Sequence, residues 1–207
     1  MASSIDITGL ILAGGRSTRM GGLDKALLPL NGRPMIEWVI DRFRPQVSNL
    51  ILNTNSDETV LAALGYPIIA DAITGYPGPL AGLHAGMGRA ETPLLACVPC
   101  DAPLLPCDMV VRLHQALAAA EADIAVACTS SGLQPTFLLC SCTLRPSIED
   151  FLSEGGRAFR HWLARLHCIE VPFPDETAFS NINTPQDMER IAIDLSRTSR
   201  NQTGITI

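Results

Sequence analysis

Thr8-Gly9-Leu10-Ile11-Leu12-Ala13-Gly14-Gly15-Arg16-Ser17-Thr18-Arg19-Met20-Gly21-Gly22-Leu23-Asp24-Lys25 decides the fold. Leu10 to Ala13 is an apolar run without polar alternation, the pattern of a strand buried on both faces of a parallel sheet. The chain then passes into a loop of glycines and cationic side chains, Arg16, Arg19 and Lys25. Glycine lets the backbone approach a ligand closely and take positive φ, so successive N–H groups can converge on one anion. Arg19 and Lys25 add the full charges that a di- or triphosphate requires. This predicts a phosphate-binding loop at the carboxyl end of the first strand; a surface loop that uses glycine for turns and arginine for solubility is the plainer alternative. The Walker pattern does not fit, because Lys25 is followed by Ala26-Leu27-Leu28-Pro29, and Gly14 to Arg19 does not supply G-x-G-x-x-G.

Leu12-Ala13-Gly14-Gly15, Arg19-Met20-Gly21-Gly22 and Asp24-Lys25 resemble the signature of the MobA-type molybdenum cofactor guanylyltransferases, and later segments extend the resemblance over residues 5–195. It implies a Rossmann-like nucleotidyltransferase that joins GMP from GTP to the phosphate of molybdopterin and releases pyrophosphate. Leu12, Ala13, Gly14, Gly15 and Lys25 then belong to the GTP site, with Arg19 and Lys25 acting on the phosphates.

The whole chain sets the bounds. Its 207 residues suffice for one α/β domain with a substantial core. The expected boundaries are residues 1–197, with a polar, disordered tail over 198–207. Fifteen basic against twenty-one acidic residues leave a net charge of −6, which argues against a nucleic-acid binder. No leader-like segment and no run of membrane-spanning length is evident, so a soluble, cytoplasmic protein without a membrane partner is expected. The seven cysteines lie mostly in apolar runs and lack the pairing of a four-ligand zinc site, so they read as reduced core thiols.

Asn31-Gly32 marks a turn, and Met35, Ile36, Val39, Ile40 and Phe43 repeat at helical spacing up to Pro45. Leu50-Ile51-Leu52 reads as a buried strand ending in Asn53-Thr54-Asn55, at the edge where open α/β sheets bind ligands. Asn53 matches the family position that helps bind the guanine nucleotide; Asn55 reads as a turn residue. A helix over 57–64 and a strand ending in Asp71 follow. Asp71 also matches a nucleotide-contacting position, and a carboxylate can accept from guanine's ring N–H and amino group together. Gly75 to Leu83 resembles the family's Gly-Pro-Leu-Ala-Gly stretch, with Gly78 and Gly82 allowing close approach to base or ribose. A structural strand-to-helix connection explains the same stretch equally well.

Pro93 to Cys100 is a buried strand that delivers Asp101 to its carboxyl end between flanking prolines. A carboxylate there is costly to bury without a cation. Magnesium shared with triphosphate oxygens resolves that cost, and Pro99-Cys100-Asp101-Ala102-Pro103 resembles the family's metal-binding motif. Asp101 is thus the expected metal ligand and, with Arg19 and Lys25, part of the catalytic set. Gln134 lies in a segment resembling one near the pterin side of the cleft. Asn181-Ile182-Asn183-Thr184-Pro185-Gln186-Asp187 resembles the family's Asn-x-Asn-Thr-Pro-x-Asp. Its right half is explained by Thr184 as a helix N-cap, Pro185 at the first helical position and Asp187 in the first turn. Asn181 and Asn183 are free to bond a pterin or phosphate. The expected fold is a three-layer α/β/α Rossmann-like sandwich with a mainly parallel sheet. Expected ligands are Mg2+, GTP and molybdopterin, with transient contact to molybdenum-cofactor biosynthesis proteins or acceptor apoenzymes. The rival readings are a CTP- or sugar-phosphate-specific nucleotidyltransferase of the same fold and a nucleotide-binding module without turnover.

Overall fold

Every residue of β1 (Ile7–Leu12) is buried, and alternate side chains enter opposite layers. Ile7 and Ile11 join one core with α1 (Met35–Phe43) and α3 (Met109–Ala120). Leu10 and Leu12 join another with α2 (Pro79–Arg89), α4 (Arg145–Ser153) and α5 (Phe159–Leu163). Two helical layers on one sheet give the α/β/α sandwich. The computed structural model describes residues 6–14, 25–56, 61–73 and 78–203, with side chains through residue 197.

β1 pairs in parallel with β4 (Asn49–Asn53) on one side and β6 (Leu94–Pro99) on the other. With β5 (Ile68–Ile69), β7 (Ile124–Thr129), β8 (Gly132–Ser141) and β9 (Cys168–Pro172) the sheet order is β5-β4-β1-β6-β8-β7-β9. β8 runs antiparallel to both neighbours, and the other pairings are parallel. Gly9 admits α1 close to the sheet: a Cβ there would lie 2.9 Å from Phe43 and 2.8 Å from Val47. Of the helix expected over 57–64, residues 61 and 62 are helical and 57–60 lie outside the described residues.

A third apolar cluster joins the two ends of the chain. β2 (Pro29–Leu30) and β3 (Arg33–Pro34) form a hairpin whose turn residues Asn31 and Gly32 have φ of 51° and 78°. Paired positive φ values suit a tight hairpin turn, which asparagine and glycine tolerate best. α6 (Pro185–Thr203) packs Ile191 and Leu195 on Leu28, Leu30 and Met35. Asn31 Nδ2 donates to the Ala192 carbonyl at 2.9 Å, tying the turn to the helix. α6 runs through Thr203 and so overlaps the stretch expected to be a tail.

The seven cysteines are all free thiols. Burial raises the pKa values of Cys97 and Cys140, which keeps these core thiols protonated. Among the described residues, no group of three or more His, Cys, Asp or Glu is placed to share a metal ion. Nor is any helix there long and apolar enough to cross a membrane.

The start of α6 has its own electrostatic support. Asp187 Oδ2 accepts from the Thr184 hydroxyl at 2.8 Å and from the Thr184 and Asn183 N–H groups at 3.0 and 3.1 Å. In return, the Asp187 N–H donates to Thr184 Oγ1 at 3.1 Å, closing a capping box. These donors, the Thr184 hydroxyl foremost, hold the Asp187 carboxyl below its usual pKa. A depressed carboxyl stabilises the fold above its unfolded pKa and loses that contribution as pH falls through the folded value. Asp187→Ala should therefore cost about 1 kcal/mol at neutral pH. In urea titrations the gap between parent and variant should close below about pH 4; a gap that persists in acid would assign it to packing.

Candidate active site

The carboxyl edge is level across its three central strands. Leu12 is in register with Asn53 on one side and Pro99 on the other. The ladder continues past the strand ends, since Ala13 N–H donates to the Asn53 carbonyl at 2.8 Å and Cys100 N–H to the Leu12 carbonyl at 3.1 Å. Leu12, Ala13, Gly14, Asn53 and Asp101 thus lie along one line, with Gly14 exposed. β1 is also where successive connections diverge to opposite sides of the sheet, the switch point at which open α/β sheets form their crevice.

Asp101 forms one end of this line. Its carbonyl accepts from the Ile182 N–H at 2.9 Å, which anchors the 181–183 segment against the β6 loop. Lys25 begins a short 3-10 turn (Lys25–Leu27), and its Nζ forms an ion pair with Asp101 Oδ2. The same ammonium donates to Asn183 Oδ1 at 2.6 Å. The Lys25 and Asp101 side chains are only 14% and 12% exposed, so solvent screens the pair weakly. Asp101 Oδ1 is buried and has no hydrogen-bond partner among the described residues. An unsatisfied buried acceptor costs about 1–3 kcal/mol, more for a charged group, so this oxygen suits a donor or cation. Hard carboxylate and amide oxygens with phosphate oxygens are the donor set that magnesium favours. The residues present therefore fit the ion.

Asn53 and Asp71 form the other end. Asn53 is 4% exposed, and its Nδ2 donates to Asp71 Oδ1 at 3.0 Å and to the Ile69 carbonyl at 3.3 Å. Gly82 makes room for it: a Cβ there would stand 2.2 Å from Asn53 Oδ1 and 2.7 Å from Leu12 Cδ2. Gly78, at φ 156°, precedes the first turn of α2 and gives it no side-chain cap. Pro79, the first residue of that turn, carries no N–H, and the Ala81 N–H donates to the Gly78 carbonyl at 3.1 Å.

Of the remaining expected residues, Gly15 and Arg19 lie outside the described residues. Gln134 Nε2 turns back onto its own hairpin, donating to Thr129 Oγ1 at 3.1 Å and less closely to Ser131 Oγ and the Gly132 carbonyl. Asn181 and Asn183 are both exposed and flank the buried Ile182. Asn183 meets Lys25, a contact across 158 residues with no local signal. Asn55, read from sequence as a turn residue, proves to be a partner of Asp71: its Nδ2 donates to Asp71 Oδ2 at 2.7 Å. Its spacing of two from Asn53 is the only trace of that role in the sequence.

Gly82→Ala tests the close approach at the Asn53 end. Overpacking there should cost about 1–3 kcal/mol and shift the Asn53 side-chain amide resonances in an NMR spectrum. An unchanged Asn53 environment would show that the glycine is not needed for packing.

Comparison with known proteins identifies the family and the fold. A family model described as the MobA-like NTP transferase domain matches residues 9–169. A molybdenum cofactor guanylyltransferase of Shewanella loihica is 43% identical over 190 residues, covering 91% of this chain and 97% of the relative. One from Yersinia pestis is 45% identical over 185 residues, covering 89% and 94%. Among solved structures, molybdopterin-guanine dinucleotide biosynthesis protein A from Archaeoglobus fulgidus superposes with a TM-score of 0.76 at 24% identity, covering 92% of this chain and 99% of that one. The superposition shares the fold, and the relatives' identity over nearly their full length carries the assignment further: the chain belongs to the molybdenum cofactor guanylyltransferase family, built on the MobA-like NTP transferase domain.

Proposed function

We propose that this chain transfers GMP from GTP to the terminal phosphate of molybdopterin, forming the guanine dinucleotide and releasing pyrophosphate. The observation that carries the reading is the meeting of Lys25 and Asp101 at one sheet edge, with Asp101 Oδ1 left bare and the Asn53–Asp71 pair along the same edge. The nucleotide lies with its base towards Asp71 and its phosphates towards Lys25. Residues 1–197 act as one catalytic domain.

An oxygen of the molybdopterin phosphate bonds to the α-phosphorus. The bond from that phosphorus to the bridging oxygen breaks, and its electron pair leaves with pyrophosphate. The attacking phosphate is already ionised at neutral pH, so no side chain need remove a proton. Positioning and charge stabilisation then account for the catalysis. Asp101 would hold Mg2+ through its bare oxygen, and the ion, when bound, supplies charge neutralisation to the phosphates. Lys25 is held by Asp101 and Asn183 before substrate binds, and a polyphosphate offers its ammonium a denser set of anionic oxygens. Arg19 adds a second cation to the phosphates. Gln134, Asn181 and Asn183 face the acceptor side, where Asn183 also steadies Lys25.

Radiolabelled GTP incubated with molybdopterin and magnesium tests the reaction directly. Transfer only from CTP, or only to a sugar phosphate, would move the chain to another nucleotidyltransferase specificity, and no transfer would leave a binding module. Asp101→Ala should lower turnover by at least about a hundredfold with an unchanged circular dichroism spectrum; undiminished turnover would remove the metal assignment. Lys25→Ala removes the cation that neutralises Asp101. The variant should bind free Mn2+ more tightly than the parent in the absence of nucleotide, as followed by electron paramagnetic resonance, while losing turnover. Equal Mn2+ affinity would show that the ion pair does not guard the carboxylate.

A further inference from the structure

Asp71 is held on both carboxylate oxygens. Asn53 Nδ2 donates to Oδ1 at 3.0 Å and Asn55 Nδ2 to Oδ2 at 2.7 Å. Asn55 also accepts, through its own Oδ1, from the Asp71 backbone N–H at 2.9 Å. The two-point clamp therefore joins the chain after β4 to the chain after β5, at the outer end of the site. Asn55 itself is anchored to a fixed backbone: Thr54 is buried, its N–H donates to the Ile69 carbonyl at 2.9 Å, and its hydroxyl accepts from the Ser56 N–H at 3.1 Å.

With one amide on each oxygen, the Asp71 carboxylate cannot rotate about its Cβ–Cγ bond without breaking a hydrogen bond. A carboxylate offers about four lone-pair sites, and the two amides take one on each oxygen. What remains is a planar pair of acceptors in a set orientation, the complement of two adjacent N–H donors on one ring edge. Guanine presents that pair as its ring N1–H and exocyclic amino group. Hypoxanthine presents only the first.

We infer that Asn55 is a positioning residue for base selection, orienting Asp71 so that it accepts from the guanine N1–H and amino group together. The inference rests on Asp71 as the base acceptor of the proposed reaction. Asn55 does not touch the nucleotide and acts only through the carboxylate. Loss of its amide donor leaves the Asp71 carboxylate held at Oδ1 alone, by Asn53, which penalises the two-point contact with guanine more than the one-point contact with hypoxanthine.

Binding of GTP and ITP to the full-length protein with magnesium, measured by calorimetry for the parent and two variants, tests this. Asn55→Ala removes both contacts that Asn55 makes with Asp71 and leaves the Asn53 bond. Asn55→Asp keeps the acceptor for the Asp71 N–H but sets a carboxylate against that of Asp71, so like-charge repulsion adds to the loss of the amide donor. In both, the GTP-over-ITP preference should fall on the order of tenfold, the equivalent of one hydrogen bond to a charged group. In Asp71→Asn the preference should already be lost, and adding Asn55→Ala should lower it no further. If the parent prefers GTP and both Asn55 variants keep that preference, Asn55 is a structural tie and the inference fails alone. A parent that binds GTP and ITP equally removes the base-acceptor role of Asp71 and the inference with it, and a parent that binds neither removes the proposed function as well.

Discussion

The site depends on one carboxylate whose two oxygens are treated differently. Asp101 gives one oxygen to the Lys25 ammonium and holds the other buried, with no hydrogen-bond partner among the described residues. A buried charge is tolerated only when paired, and Lys25 provides the partner from 76 residues earlier in the chain. The unbonded oxygen is a local cost that the fold sustains through rigid surroundings. Asp101 follows a buried strand, its carbonyl is tied to Ile182, and that segment is in turn fixed by the capping box of α6. Stability is thus given up at one atom and recovered in the elements that hold it.

The sheet turns this local arrangement into a crevice. β1 sits between β4 and β6, so the chain ends that follow these strands face a common edge. The β6 side carries charge, in Asp101 and Lys25. The β4 side carries directional hydrogen bonding, in Asn53, Asn55 and Asp71. Polyphosphate and base have the same division, one end densely anionic and the other planar with fixed donors and acceptors. Gly82 lets α2 approach the β4 side, because a side chain there would collide with both Leu12 and Asn53.

What was legible in the sequence was local. The apolar run of β1, the Asn31-Gly32 turn and the Thr184-Pro185-Gln186-Asp187 cap depend on neighbours within a few residues, and each has the expected form. Asp101 was legible because a carboxylate directly after a buried strand is itself anomalous. The hydrogen bond between Lys25 and Asn183 was not, since only tertiary packing brings those residues together. The direction of β8 was equally hidden: an apolar strand reads the same parallel or antiparallel, and here it runs against both neighbours. Asn55 does sit in a bend, as its residue type suggests, and its contacts with Asp71 appear only when β5 brings Asp71 alongside.

The clasp between the first hairpin and the last helix sets an order on biogenesis. All strands of the sheet are encoded by residue 172, yet Ile182 and Asn183, which brace Asp101 and Lys25, come later. Synthesis from the N-terminus therefore supplies every strand of the sheet before it supplies these two supports. The charged end of the crevice thus draws on a segment that lies outside the sheet, and the bond from Asn31 to the Ala192 carbonyl ties the helix after that segment to the first hairpin.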